Sequence, residues 1–297
     1  MHLLILGLGY TTTRIAAAFS GEGGTVASTT RDGRAGTLRF DDARAVNGEI
    51  VRATHILSSV PPEDDTDPVL VAYGPQLARS PAWLGYLSST GVYGDVGGGW
   101  VDETAPTGAG RRSARTRADA DWLALGARVF RLPGIYGPGR SALDRVREGK
   151  AHLVDSVGQV FSRVHVNDIV AGVIAALTAP AGAYNLADDH PCAQNDVVAF
   201  AAHLLGLAVP AYTPIERLSP MARAFYAENR RVANGRAKRV LGWAPRYPDY
   251  RAGLRALSAM TSPTPASTAP PAASVDQRYP SNRVDSSIAI TGTITLE

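Results

Sequence analysis

The hexapeptide Gly7-Leu8-Gly9-Tyr10-Thr11-Thr12 joins a short apolar run to a segment of helical composition, and that context gives its glycines a chemical reading. Glycine at position 7 permits a tight turn. Glycine at position 9 lets the backbone approach an anion that the next helix attracts through its free N–H groups and dipole. The anion such a turn suits is the pyrophosphate of a dinucleotide. Thr12 stands where the usual pattern has a third glycine; it fits if helix and strand lie slightly further apart, and a hydroxyl near a phosphate is not unfavourable. An isolated match is as readily an ordinary turn, and its place at the start of an α/β chain is what favours the cofactor. The end of the next strand reads Thr29-Thr30-Arg31-Asp32. Arg31 suits the 2′-phosphate of NADP(H) through paired charged hydrogen bonds, whereas an acid there suits the ribose hydroxyls of NAD(H). Asp32 argues for NAD(H) if the strand ends one residue later; the balance favours NADP(H).

The elements that must position these residues follow from hydrophobic patterning. Leu3 to Leu6 reads as a strand buried on both faces, Thr12 to Phe19 as a helix broken by Gly21, Gly23 and Gly24, and Thr25 to Thr30 as a second strand. Further strands are expected at His55 to Val60, Trp83 to Ser88 and Arg128 to Leu132, with crossover helices at Asp67 to Arg79 and Thr116 to Leu125. The alternation predicts an α/β, Rossmann-type, doubly wound parallel sheet over residues 1–133. A smaller mixed substrate lobe is expected over residues 134–260, interleaved with sheet elements near 160–190 that return to the first domain. Within it, Val164 to Leu177 reads as a strand running into a helix and Asn195 to Leu205 as a helix. Residues 261–297, rich in Pro, Ser, Thr and Ala, read as a disordered tail, although Ile288 to Leu296 alternates like a strand.

The totals bound the class. A chain of 297 residues with 45% hydrophobic content can bury a full core. Thirty basic and 27 acidic residues nearly cancel, so no field toward nucleic acid follows. A lone cysteine, Cys192, excludes an intrachain disulfide and a thiolate metal cluster and suits a reducing cytoplasm. No basic n-region precedes Leu3 and no run reaches the ~20 apolar residues of a membrane span, so a soluble, cytoplasmic chain without membrane contact is expected. No metal is expected, and a homodimer is left open. Only Lys150 and Lys238 are lysines.

Four motifs in order carry a family resemblance: Ser88-Ser89-Thr90-Gly91-Val92-Tyr93-Gly94, Arg131-Leu132-Pro133-Gly134-Ile135-Tyr136-Gly137-Pro138-Gly139, Val164-His165-Val166-Asn167-Asp168 and Tyr184-Asn185-Leu186-Ala187. Over roughly Met1 to Leu257 the chain resembles the extended and atypical short-chain dehydrogenase/reductase superfamily, in particular its NAD-dependent epimerase/dehydratase-like branch. The resemblance implies that Ser89 hydrogen-bonds a reacting carbonyl or alcohol of a small-molecule substrate, and that Pro133 and Ile135 lie beside the nicotinamide. It further implies that Asp41 touches the adenine, that Ser58 and Ser59 line the cofactor, and that Arg230, Arg231, Asn234 and Arg236 fall in the substrate lobe. A charged helix surface accounts equally well for these last four.

The chain departs from this family at its Tyr-x-x-x-Lys dyad, in which the lysine lowers the pKa of a proton-shuttling tyrosine. Matching the helix at Arg117-Ala118-Asp119-Ala120-Asp121 puts Ser113 at the tyrosine position and Arg117 at the lysine position. No tyrosine lies between Tyr93 and Tyr136, and neither lysine has a tyrosine four residues before it. Arg117 keeps the positive charge, but Ser113 is a far weaker acid than a phenol. The resemblance puts Tyr93 near the substrate, which makes it the first alternative proton donor; His165 is the second, with backbone bonding at a strand start the better account of it. The expected function is therefore NAD(P)-dependent oxidoreduction or epimerase-like chemistry on a carbonyl or secondary alcohol, sugar-type substrates included. A non-catalytic NADP(H)-binding sensor or scaffold is the alternative.

Overall fold

The computed structural model describes residues 1–63, 65–108, 113–156, 158–220, 223 and 226–261, so the expectations for the tail, including its strand-like end, lie outside the described residues. From the N-terminus the elements are β1 (His2–Leu6), α1 (Tyr10–Gly21), β2 (Thr25–Thr30), β3 (Leu38–Arg39), α2 (Ala43–Arg52), β4 (His55–Ser58), α3 (Pro68–Leu77), β5 (Trp83–Ser89), β6 (Trp100–Val101), α4 (Ser113–Ala124) and β7 (Arg128–Leu132). There follow β8 (Gly134–Tyr136), α5 (Ala142–Arg147), β9 (Leu153–Val154), β10 (Arg163–His165), α6 (Val166–Ala175), β11 (Gly182–Asn185), α7 (Gln194–Leu205), β12 (Tyr212–Thr213), β13 (Arg231–Val232), α8 (Gly235–Leu241) and α9 (Tyr250–Thr261). Among the described residues no helix is long and apolar enough to cross a membrane.

Seven strands form one parallel sheet in the order β11-β7-β5-β4-β1-β2-β3, with Leu3 of β1 in register with Val26 of β2 on one side and His55 of β4 on the other. This is the doubly wound Rossmann-type sheet. Leu3 and Ile5 face a core shared with Ile15 and Phe19 of α1 and Ile169 of α6; Leu4 and Leu6 face one shared with Val46 of α2, Tyr73 of α3 and Trp122 of α4. The unbroken apolar run of β1 is thus explained by burial on both faces. Helix α3 begins where the side chain of Asp67 accepts the Val69 and Leu70 amides (2.8 and 3.0 Å), with Pro68 at its first position. The strand order reverses at β1, with β2 and β3 on one side and β4 on the other, and in open sheets of this kind ligands bind in the crevice beyond the carboxyl ends of the strands at such a switch point.

After β7 a further apolar cluster forms, with Tyr136, Leu143, Leu153, Val198 and Leu254 among its members, while β11 returns to the edge of the main sheet. Three parallel pairs of two or three residues, β6 with β13, β8 with β10 and β9 with β12, tie distant segments together. Just past β11, Asp188 is buried, with Oδ1 accepting the His190 amide at 3.3 Å and Oδ2 without a hydrogen-bond partner among the described residues. Burial pushes its pKa up to about 8, against the pull of Arg163. The unfolded carboxyl titrates near 3.9. The folded chain therefore binds a proton that the unfolded chain has released, and stability falls as pH rises from about 4 toward about 8. Asp188→Asn is expected to flatten this slope in urea denaturation at pH 5 and pH 8; a variant as pH-sensitive as the parent would remove Asp188 as the cause.

Candidate functional site

The loop between β1 and α1 is fixed by a set of short bonds. Gly7 has φ +92°, a left-handed conformation that favours glycine, and a Cβ there would approach Val60 Cγ2 at 2.9 Å. Its N–H donates to Thr29 Oγ1 (3.1 Å) and its carbonyl accepts from Ser59 Oγ (2.6 Å), so the turn is pinned to the ends of β2 and β4. Thr12 is buried, and its hydroxyl donates to the Gly7 carbonyl (3.0 Å) and accepts the Gly9 N–H (2.7 Å). The residue in the third-glycine position thus closes the loop instead of merely tolerating it. Beside Gly9 the space is open: a Cβ built there meets nothing within 4 Å. The N–H groups of Tyr10, Thr11 and Thr12 fall in the first turn of α1, where no preceding carbonyl is in helical register. Open space against the backbone and uncommitted N–H donors are what a pyrophosphate needs.

Three cavities share walls and make a continuous trough. The first, of about 580 Å³, runs from Arg31, Arg34 and Phe40 past Pro61 to Gly7 and Gly9. The second, of about 460 Å³, shares Gly9, Ser59 and Pro61 with it and continues over Tyr10, Thr11 and Thr12 to Ser89, Pro133 and Ile135. The third, of about 230 Å³, shares Ser89, Arg115, Leu132, Pro133 and Gly134 with the second. At the outer end Arg31 is 93% exposed with its nearest acid, Glu63, at 3.6 Å. Asp32 is held down in pKa by hydrogen bonds from its own loop backbone and Thr30, with Arg34 adding to the effect. Two expectations need correction here. Asp41 does not line the trough: Arg39, two residues before it, holds its carboxylate at 2.7 and 3.0 Å. Ser58 is fully buried inside the sheet, because the alternation of β4 turns it inward, and Ser59 takes the lining position.

At the inner end Ser89 Oγ accepts the Gly91 N–H (3.1 Å), which leaves the hydroxyl proton free for the cavity. Tyr93 does not face it. It is 1% exposed, its hydroxyl donates to Asn185 Oδ1 (2.8 Å) and accepts from Arg131 Nη1 (3.0 Å), and burial raises its pKa. Arg117 does not face it either: it is exposed and donates to the Asp65 carbonyl (3.2 Å), while Ser113 donates to Asp65 Oδ1 (2.8 Å). The cleft-facing cation of α4 is Arg115, which lines both inner cavities and has no hydrogen-bond or ion-pair acceptor among the described residues. Arg115, Ala118, Asp119 and Trp122 are spaced three, four and seven apart and so share one helix face, while Arg117 points elsewhere. That stripe was the available signal. His165 caps α6 by accepting the Asn167 N–H on Nδ1 (3.1 Å), and burial lowers its pKa to about 4, so it is a neutral structural ring. Tyr10 lines the trough with its hydroxyl donating to the Pro138 carbonyl (3.1 Å).

Below Ser89 lies a buried network. Asp119 accepts two bonds from Arg131 (2.7 and 3.1 Å) and one from the Ser88 hydroxyl (2.6 Å), joining α4, β7 and β5. Of the lobe residues, Arg230 reaches the inner cavity; Arg231 donates to the Gly98 carbonyl, Asn234 to Ala187 and Asp189, and Arg236 lies over the Tyr184 ring.

Comparison with known proteins follows this geometry. No family model matches the chain. A conserved protein of unknown function from Silicibacter pomeroyi is 38% identical, over 87% of this chain and 98% of that one, with a TM-score of 0.77. A dTDP-glucose 4,6-dehydratase from Bacillus anthracis, solved in complex with NAD, is 17% identical over 88% of this chain and 97% of that one, with a TM-score of 0.71. A 3-diazoavenalumate denitrifying reductase from a Streptomyces species is 33% identical over 142 residues, 44% of this chain and 46% of that protein. The match thus spans less than half the length of that curated relative.

Proposed function

The chain belongs to one family with the Silicibacter pomeroyi protein and has the fold of the short-chain dehydrogenase/reductase superfamily in its NAD-dependent epimerase/dehydratase-like form, and from that premise we propose that it is an NADP(H)-dependent oxidoreductase. The observation that carries the reading is the shared-wall trough, with Ser89 and Arg115 where its second and third cavities meet. Gly7 and Gly9 hold the pyrophosphate against the N-terminus of α1, Arg31 meets the 2′-phosphate, and Pro133 and Ile135 bound the nicotinamide end. A nicotinamide dinucleotide bound there supplies or accepts hydride. Ser89 donates its hydroxyl proton as a hydrogen bond to the reacting group, fixed in direction by the Gly91 N–H on its lone pair. Arg115, which has no acceptor among the described residues, brings a positive charge to the same place, where developing negative charge is stabilised without reorganisation.

No tyrosine–lysine pair among the described residues lines this cleft, which favours a reaction that draws its proton from solvent or needs none. Replacement of a diazonium group by hydride is of the second kind: the C–N bond breaks with its electron pair leaving on dinitrogen as the C–H bond forms. The Streptomyces relative is named as a denitrifying reductase of a diazo compound. Its partial match makes a diazo compound one substrate to assay, while Ser89 and Arg115 fit a reacting carbonyl, on which negative charge develops, with the proton drawn from solvent. The same lack of a proton shuttle favours a second reading, a sensor that binds NADP(H) without turnover. An NADPH-dependent change in oligomeric state with no consumption of NADPH would support it.

The test of the cofactor assignment is a titration with NADPH and, separately, NADH, followed by nicotinamide fluorescence and repeated on Arg31→Ala. NADPH should bind more tightly than NADH, and the variant should lose about tenfold or more for NADPH, ~1.4 kcal/mol, with NADH unaffected. Equal loss for both cofactors would remove Arg31 from phosphate recognition.

A further inference from the structure

We propose that the innermost cavity takes a small monoanion, a carboxylate on an apolar body, and excludes nucleotide sugars. The inference deepens the oxidoreductase reading and rests on it for the place of the cofactor in the adjoining cavity. Two guanidinium groups, Arg115 and Arg230, and one carboxylate, Glu228, line this space, a net charge of +1. Glu228 Oε2 and the Gly94 carbonyl both engage Nη1 of Arg230, at 2.8 and 2.7 Å. Nη2 of Arg230 is directed to the turn that bears Ser89: it and Ser89 Oγ lie 3.9 and 3.3 Å from the position a Cβ on Gly91 would occupy. Gly91 thus keeps open a gap flanked by a cation and the reacting hydroxyl. Arg115, without an acceptor among the described residues, supplies the charge that a ligand must balance. A planar carboxylate matches guanidinium donors in charge and geometry.

Leu132, Val160, Phe161 and Val232 supply apolar wall, beside the hydroxyl-bearing Thr90 and Ser162. At about 230 Å³ the cavity falls below the ~300–1,000 Å³ of sites that take drug-sized ligands. Gly134, Phe161 and Ser162 line both this space and a neighbouring one of about 400 Å³. Two arginines of that neighbour carry hydrogen bonds within the chain. Arg163 donates to Phe161 O, Cys192 O and Gln194 Oε1, Arg145 to the Lys150 carbonyl, and Arg140 lies near the Tyr10 ring.

The experiment is calorimetry on the protein saturated with NADPH, with saturation established separately by nicotinamide fluorescence, using trans-cinnamate, trans-cinnamamide and UDP-glucose. Cinnamate should bind at millimolar concentration or below, cinnamamide about tenfold or more weakly, and UDP-glucose not at all. Arg115→Gln and Arg230→Gln should each bring cinnamate down to the amide's affinity and leave the amide unchanged, which shows that the variants remain folded. Gly91→Ala should weaken both small ligands by filling the gap. Equal affinity for cinnamate and its amide, preference for UDP-glucose, or no cinnamate binding to the NADPH-loaded protein would overturn the proposal. A protein that binds no NADPH refutes the oxidoreductase reading instead, and cinnamate against cinnamamide on the cofactor-free protein still decides this one.

Discussion

Turnover by a Ser89→Ala variant is expected to fall by about 10²–10³-fold, with NADPH affinity unchanged, because a donor aimed at developing charge is lost while the cradle at Gly7 to Thr12 is untouched. The loss should appear in kcat more than in KM, the mark of an interaction that strengthens in the transition state. Tyr93→Phe is the informative contrast. A Tyr93 that shuttled protons would cost as much activity as Ser89 when changed. With its hydroxyl held between Asn185 and Arg131 inside the protein, its removal should instead cost stability, about 1–3 kcal/mol for the buried partners left unmet, and leave turnover within a few-fold. Steady-state kinetics and urea denaturation of the two variants separate these outcomes, and a Tyr93→Phe protein of normal stability and collapsed kcat would return Tyr93 to the chemistry.

Asp119→Ala should destabilise the fold by about 3–5 kcal/mol, since Arg131 would remain buried without its counter-charge. The Ser88 hydroxyl loses its acceptor in the same step. Because Ser88 precedes Ser89 on β5 and Leu132 follows Arg131 on β7, the damage reaches both walls of the cleft. Replacing the pair together, Asp119→Leu with Arg131→Met, should recover much of the loss by removing both charges at once. Equilibrium urea denaturation reads both variants; an Asp119→Ala protein within ~0.5 kcal/mol of the parent would show the pair to be inert.

Much of the fold is legible in the sequence because its information is local. The apolar runs of β1, β4, β5 and β7 mark strands buried on two faces, and Asp67-Pro68 marks the start of α3. The pairs β6 with β13 and β9 with β12 were not legible, since two residues have no period and each pair joins distant segments. The site divides the same way. The glycine loop and Ser89 are shaped by bonds within their own turns, so their neighbours in sequence point to their geometry. The partners of Tyr93 stand 92 and 38 residues away, and nothing local reveals that its hydroxyl is spent. Asp41 is paired with Arg39, a contact that the sequence puts within reach two residues away. The family pattern points to Arg117, whereas Arg115 lines the two inner cavities. The helix face that Arg115 shares with Asp119 and Trp122 is the signal for it in the sequence.

The claim on which the rest depends is that the loop from Gly7 to Thr12 holds a dinucleotide. Gly9→Val tests it most directly, because Gly9 has an extended backbone, φ −138°, that valine adopts, and its new side chain would enter open space where the pyrophosphate is placed. Nicotinamide fluorescence should show NADPH bound by the parent and its affinity lowered about tenfold or more in a variant that melts at the parent's temperature. NADPH binding that is equal in the two proteins, or absent from the parent, would contradict the account.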